Sequence, residues 1–322
     1  MRTRQNLYLN FSSIPELTKL AKQNRYLGEN TNLKKLIQLS SSKKFIGIEF
    51  PYFRFFEKSN SVHNLINYLN QNQQKYILDC EKKISKKELI KLIVLSKKLN
   101  VKFIRLKCSN ILSCERYKYK KSWTLKIDSI VKKIKQIKPL LKKYKVKLAI
   151  ENHQDLDSND LINIIRRVGK NYVGINFDIG NSFATCEMPK SFLKRTKNYI
   201  LNIHLKDYII LPTKSGYGLY RCPIMDGNCQ IAEILKIIYK LKLEVPISLE
   251  LGAKTPREIK VNSNNFFNYF IKEKNIKSKN IKSIMKIAKL NLNKINNLRK
   301  LIFLNEINML NRSLKNINQI KI

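Results

Sequence analysis

Short apolar runs alternate along the chain with longer amphipathic stretches. Eight runs of six or seven residues read as strands: 7–12, 45–50, 75–80, 101–107, 146–152, 172–178, 200–206 and 245–250. Their length and polar borders favour strand over buried helix. Helical spacing of apolar positions covers 32–39, 62–69, 87–99, 124–145, 160–168, 190–199, 231–241 and 264–272. Pro139, inside the fourth of these, predicts a kink or break. Strands that alternate with helices predict a parallel sheet. Eight such units in about 270 residues predict closure into a (β/α)8 TIM barrel. An open doubly wound sheet would carry a Gly-rich phosphate turn after its first strand. Ser12-Ser13-Ile14-Pro15 is no such turn.

Beyond residue 272 the pattern changes. Gly and Pro disappear, and Ile281, Ile284, Ala288, Ile295, Leu298 and Ile302 fall near a three-four repeat that Asn291 and Asn305 interrupt. One or two amphipathic helices are predicted. The chain thus divides into a barrel over 1–272 and a basic helical C-terminal extension over 273–322. The extension holds 12 Lys or Arg against 2 Glu. Its apolar stripe suits the barrel exterior or a subunit interface in a homo-oligomer. Its charge suits an anionic surface, membrane or nucleic acid.

Composition changes this picture little. The 322 residues carry a net charge of +41, and 43% of them are hydrophobic. That apolar share supplies a core and excludes wholesale disorder. Only 13 of the 64 basic residues are Arg, and the Lys residues spread through every helical stretch. Dedicated phosphate readers favour the bidentate fork of Arg. The bias follows AT-rich codons, which raise Lys, Asn and Ile and lower Ala, Gly, Arg and Pro. Non-specific binding of nucleic acid at low salt is expected from the charge alone. No run of about 18 apolar residues predicts a membrane span. The start, Met1-Arg2-Thr3-Arg4-Gln5-Asn6, lacks the apolar core of a secretory leader. Cysteines at 80, 108, 114, 186, 222 and 229 show no Cys-x-x-Cys spacing, so neither a zinc ribbon nor a disulfide scaffold is predicted. A reduced, cytoplasmic compartment is the simplest home.

Candidate chemistry gathers at strand ends, where barrels of this kind place their sites. The fifth strand ends Ile150-Glu151-Asn152-His153 and the sixth Asn176-Phe177-Asp178-Ile179-Gly180-Asn181. The seventh ends His204-Leu205-Lys206-Asp207 and the eighth Ser248-Leu249-Glu250. Each acidic residue alone reads equally as a helix cap or a surface charge. Four successive strands that deliver Glu, Asp, His and Glu to one rim are more specific. Converging carboxylates repel unless a cation relieves them, and this donor set suits Mn²⁺, Mg²⁺, Co²⁺ or Zn²⁺.

These four segments resemble the sugar phosphate isomerase/epimerase family of xylose isomerase-like TIM barrels. The layout is similar over residues 6–272 and the sharp motifs over 146–252. The resemblance implies one divalent ion held by Glu151, Asp178, His204 and Glu250. It also implies isomerisation or epimerisation of a sugar or sugar derivative through an enediolate, with Glu151 and Glu250 as the acid/base pair. Strand alternation turns His153 and Lys206 toward the same mouth, as candidates for substrate contact. Glu49 joins them if its register holds; a salt bridge to a Lys is the plainer reading. Arg221 lies in the stretch 217–228, read as a loop that supplies a basic group to substrate. Asp207 is expected to fix the loop after His204. Asn181 stands where many relatives have a His; it can bond a hydroxyl but cannot shuttle protons.

Dehydration of a keto-polyol is open to the same parts. An apurinic/apyrimidinic endonuclease-like DNA repair enzyme would suit the charge, but its three-metal cluster needs several His ligands. This chain has only His63, His153 and His204. A non-catalytic basic nucleic-acid-binding barrel is the third rival, and the intact four-residue set speaks against it.

Overall fold

Alternation along each strand builds the architecture. The computed structural model describes residues 6–18, 29–51, 59–80, 85–119, 122–266 and 278–320. The first seven expected runs form β1 (Leu7–Asn10), β2 (Gly47–Pro51), β3 (Lys75–Cys80), β4 (Phe103–Leu106), β5 (Lys147–Glu151), β6 (Val173–Asp178) and β7 (Ile200–Leu205). A hairpin follows, β8 (Tyr208–Thr213) and β9 (Gly216–Arg221). Then β10 (Ile247–Leu249), from the eighth run, closes the barrel, and β11 (Arg257–Ile259) adds to the hairpin. The closed order is β1-β10-β7-β6-β5-β4-β3-β2, with every pair parallel. The second sheet, β11-β9-β8, is antiparallel.

The barrel register fixes which side chains look inward. Asn10 pairs with Glu49, Asp79 with Arg105, Glu151 with Asn176, and Asp178 with His204. Residues one step off, such as Leu9, Ile48, Leu78, Ile104, Ile150, Phe177 and Leu205, are buried beneath the helices. The outward layer is therefore the hydrophobic core. The inward layer toward the C-terminal ends of the strands is polar, unlike the aliphatic filling usual in such barrels.

The helices are α1 (Pro15–Thr18), α2 (Glu29–Ser42), α3 (Ser59–Gln71), α4 (Lys86–Lys98), α5 (Trp123–Tyr144), α6 (Ser158–Val168), α7 (Pro189–Thr196), α8 (Ile231–Lys240), α9 (Asn264–Phe266), α10 (Ser278–Leu292), α11 (Ile295–Ile302) and α12 (Glu306–Asn318). Capping boxes start α4 (Ser85 with Glu88) and α6 (Asp157 with Asp160). The break expected at Pro139 does not occur: α5 runs from Trp123 to Tyr144. Pro139 and Lys135 are both exposed, so water serves the Lys135 carbonyl that the proline leaves without a donor. The stretch 217–228 is not simply a loop, because 216–221 is strand β9. The expected helix 264–272 is described only as α9, and its remainder lies outside the described residues.

The extension is joined to the barrel. Its interrupting residues are helix boundaries with partners: Asn291 Nδ2 donates to Ile210 O and Asn228 Oδ1, both at 2.8 Å, and Asn305 caps α12. Met309, Leu310, Leu314 and Ile317 of α12 are buried in the main core. Glu306, at its start, accepts from Glu16 N at 2.9 Å, just beyond β1. Leu314, Lys315 and Asn318, near its end, line a surface groove with Ser42, Lys43 and Lys44 after α2. The helix thus packs against the barrel flank. Leu310→Ala is expected to lower the unfolding free energy by about 2–5 kcal/mol. Chemical denaturation checks this; an unchanged midpoint would make α12 a peripheral appendage.

Candidate functional site

At the mouth, β5, β6, β7 and β10 bring their terminal polar side chains together. Ligand atoms of Glu151, Asp178 and His204 all lie within 4.8 Å of one another, and all three residues are buried. Glu250, just beyond β10, joins them: its Oε2 is 2.6 Å from His204 Nδ1. The strand ends are held in place by their neighbours. Asn152 Nδ2 donates to Asp178 O, and Asp178 N donates to Asn152 Oδ1, both at 2.8 Å. Ser13 Oγ ties β1 to β10 by donating to Leu249 O and accepting from Leu251 N.

Three cationic side chains thread this acidic set. Arg105 Nη1 is 2.6 Å from Asp79 Oδ1, and its Nη2 contacts Glu151 Oε2. Lys206 Nζ lies 2.7 Å from both Asp178 Oδ2 and Glu250 Oε1. His204 Nε2 faces Glu49 at 2.8 and 3.0 Å. Buried carboxylates need such partners. Glu49, Asp79, Glu151, Asp178 and Glu250 still outnumber the cations, so negative charge is in surplus.

Burial and these pairings together set the ionisation of the groups. Burial alone would raise Glu151, but Arg105, with His153 and His204, holds it at about 2. Burial raises Asp178 to about 6, against the pull of Lys206. Glu250 resists burial through Lys206 and His204 and stays well below its ordinary value. His204 would be lowered by burial, yet Glu49 and Glu250 raise it well above its ordinary value. His153 has no carboxylate bonded to it, and burial lowers it to about 3.

The residues fit a divalent ion. Glu151 Oε2, His204 Nδ1 and Glu250 Oε2 are buried with no hydrogen bond of proper geometry. Glu49 accepts from Nε2–H, which leaves Nδ1 as the ring nitrogen with a lone pair once its proton is lost. That is the usual arrangement for a ligating histidine.

The other expected residues fall in several places. Asn181 Nδ2 donates to Asp178 Oδ2 at 2.7 Å and reaches Glu151 Oε1 at 3.3 Å, inside the cluster. His153 lies at the rim, with Nδ1 lacking a hydrogen bond among the described residues. Glu49 meets His204 rather than a Lys. Asp207 accepts from the backbone N–H groups of Tyr208, Met225, Gly227 and Cys229 at 2.9–3.1 Å, so it organises the turn after β9. A Cβ on Gly227 would lie 2.3 Å from Asp207 Oδ1, so glycine is needed there. Arg221 ends β9, and its Nη2 donates to Leu304 O at 3.3 Å, toward the extension. Among the described residues its side chain makes no ion pair or hydrogen bond with the four central residues. Asp79 and Arg105 were missed by sequence reasoning; the available signal was one charge inside each of two apolar runs, 76–80 and 103–106. His63 is exposed on α3, so the described residues gather two imidazoles at most near the mouth.

The family model for the xylose isomerase-like TIM barrel matches residues 79–266. Among curated proteins, "Uncharacterized protein YihM" of Escherichia coli (strain K12) is 28% identical over 86 residues, 27% of this chain. The "3-oxo-isoapionate decarboxylase" of Pectobacterium atrosepticum is 22% identical over 91 residues, 28% of this chain. The chain spans only 26% and 33% of the lengths of these two relatives. Among solved structures, D-psicose 3-epimerase with D-tagatose from Clostridium cellulolyticum H10 aligns with TM-score 0.61 and 11% identity, covering 88% of this chain and 98% of that one. The probable 3-DHS dehydratase AsbF of Bacillus anthracis gives 0.56 and 15%, covering 76% and 92%. A xylose isomerase-like TIM barrel protein from Mycobacterium smegmatis in complex with magnesium gives 0.58 and 13%, covering 80% and 88%. At these identities the structures show a shared fold.

The depressed His153 predicts one acid-labile contribution to stability. Unfolded His153 takes a proton near its ordinary 6.5, the folded one only near 3. Stability present above pH 6.5 is therefore lost as pH falls through that window. Glu151 adds a further loss between 4.5 and about 2. Asp178, raised to about 6, works the other way between about 6 and 3.8, so the His153 contribution is read as a difference: in chelator, the denaturant midpoint of wild type should fall relative to that of His153→Asn as pH drops from 6.5 to 4.5. Parallel curves for the two proteins would refute the His153 contribution.

Proposed function

Because the chain belongs to the xylose isomerase-like TIM barrels, we propose that it is a divalent-metal-dependent isomerase or epimerase of a sugar or sugar derivative. The convergence of Glu151, Asp178 and His204, with Glu250 beside them, carries the reading. Mn²⁺, Mg²⁺, Co²⁺ and Zn²⁺ all suit the donors. A dication held there would polarise a substrate carbonyl and offset negative charge on its oxygen. The remaining chemistry belongs to the chain.

Glu151 and Glu250 lie on β5 and just past β10, separated around the barrel by β6 and β7. They therefore approach a substrate from different sides. Both are held ionised by neighbouring cations, so either can accept the proton next to the carbonyl. Lys206, next to Glu250 in the metal-free chain, brings a second proton-bearing group to that side of the mouth. Asn181 steadies Asp178 and Glu151 and carries no proton. His153 and Lys206 are the groups we assign to substrate hydroxyls. Glu49 positions His204.

Dehydration of a keto-polyol is a second reading, favoured by the ammonium of Lys206. That ammonium can protonate a leaving hydroxyl, whereas the amide of Asn181 cannot.

The test loads the chain with Mn²⁺ and screens ketoses, their phosphates and keto-inositols in deuterated water. Deuterium should enter next to the carbonyl of at least one substrate. Glu151→Gln and Glu250→Gln should each slow this by about 100-fold or more. Wild-type exchange in either variant would remove it from the acid/base role. No exchange on any carbonyl substrate would count against enolisation altogether.

A further inference from the structure

Lys206 makes a contact that substrate binding does not explain. Its ammonium stands 2.7 Å from Asp178 Oδ2 and 2.7 Å from Glu250 Oε1, two of the four side chains assigned to the dication. The third carboxylate, Glu151, has its own cation in Arg105, which Asp79 anchors from the far side. The two cations differ in what they would do if a dication arrived. Arg105 has a second carboxylate outside the set and can stay. Among the described residues both ion pairs of Lys206 are to residues inside the set, so ammonium and dication seek the same oxygens.

We propose that Lys206 is an internal counter-ion which a divalent ion displaces from Asp178 and Glu250, so that loading the site releases the ammonium toward the mouth. The proposal rests on the reading of this cluster as a dication site and adds an exchange of charges within it. A buried ammonium without an anion is costly. The displaced Lys206 therefore favours a ligand with an anionic oxygen, either a carboxylate or phosphate group or the oxygen that gains charge during proton removal. Loading and anion binding become coupled through one side chain.

The test is calorimetric titration of the chelator-stripped, full-length chain with Mn²⁺. Wild type, Lys206→Met and Lys206→Gln are compared, with folding checked by circular dichroism. Removing a competing cation should tighten Mn²⁺ binding by about tenfold or more. Inorganic phosphate should tighten it further in wild type and not in the variants. Unchanged or weaker binding by both folded variants would overturn the exchange while leaving the dication site standing. No Mn²⁺ binding by wild type would remove the functional reading and the exchange together. A second measurement needs wild type alone. The slowly exchanging ammonium signal of buried Lys206, followed by ¹H–¹⁵N spectroscopy, should shift or broaden on saturation with Mg²⁺. A signal unmoved by bound Mg²⁺ would overturn the proposal even if the variants do not fold.

Discussion

Five carboxylates turned into one barrel mouth repel one another, and burial removes the water that would screen them. Everything at the mouth follows from how that repulsion is relieved. Arg105, Lys206 and His204 each sit between two acidic side chains rather than beside one. Each ion pair is dry, and a dry pair is stable only when its geometry is good and its remaining atoms are served. Several of the paired atoms themselves, among them Glu151 Oε2, Glu250 Oε2 and His204 Nδ1, meet their partners without a hydrogen bond of good geometry. The barrel is thus most nearly complete with one more positive charge at that point.

The fold makes this constraint tolerable by separating two layers. Toward their C-terminal ends the barrel strands send aliphatic residues outward under the helices and polar residues inward. The oily core that stabilises the chain therefore lies outside the barrel wall, and the inner end of the wall is free to carry charge. The C-terminal extension belongs to the outer layer. Its Met309, Leu310, Leu314 and Ile317 join the same core as the barrel helices. Its influence on the site is indirect, through the bond from Glu16 N of α1 to Glu306 and the contact of Arg221 with Leu304 O.

The eight barrel strands were legible because each is an apolar run of the right length, and the rim set because three acidic residues and one His punctuate four of those runs in order. The hairpin was hidden. It begins two residues after β7 with the same apolar character, and the charged pair Lys206-Asp207 looks like the start of a loop rather than a pause between strands. Asp79 and Arg105 were hidden for another reason. A single charge in a strand reads as an isolated surface residue, and only the register of β3 on β4 makes them partners. Glu49 was legible as inward-facing, but its partner lies 155 residues away on β7, beyond local inference. In the extension, Asn291 and Asn305 looked like flaws in a repeat and are its helix boundaries.

The central claim is that Glu151, Asp178, His204 and Glu250 share one dication. Anomalous diffraction from crystals of the full-length chain grown with Mn²⁺ tests it most directly. The account predicts a single strong peak at the barrel mouth, with an oxygen of each carboxylate and Nδ1 of His204 about 2.0–2.3 Å from it. A peak elsewhere, or no peak at a concentration of Mn²⁺ that stabilises the protein, would contradict it.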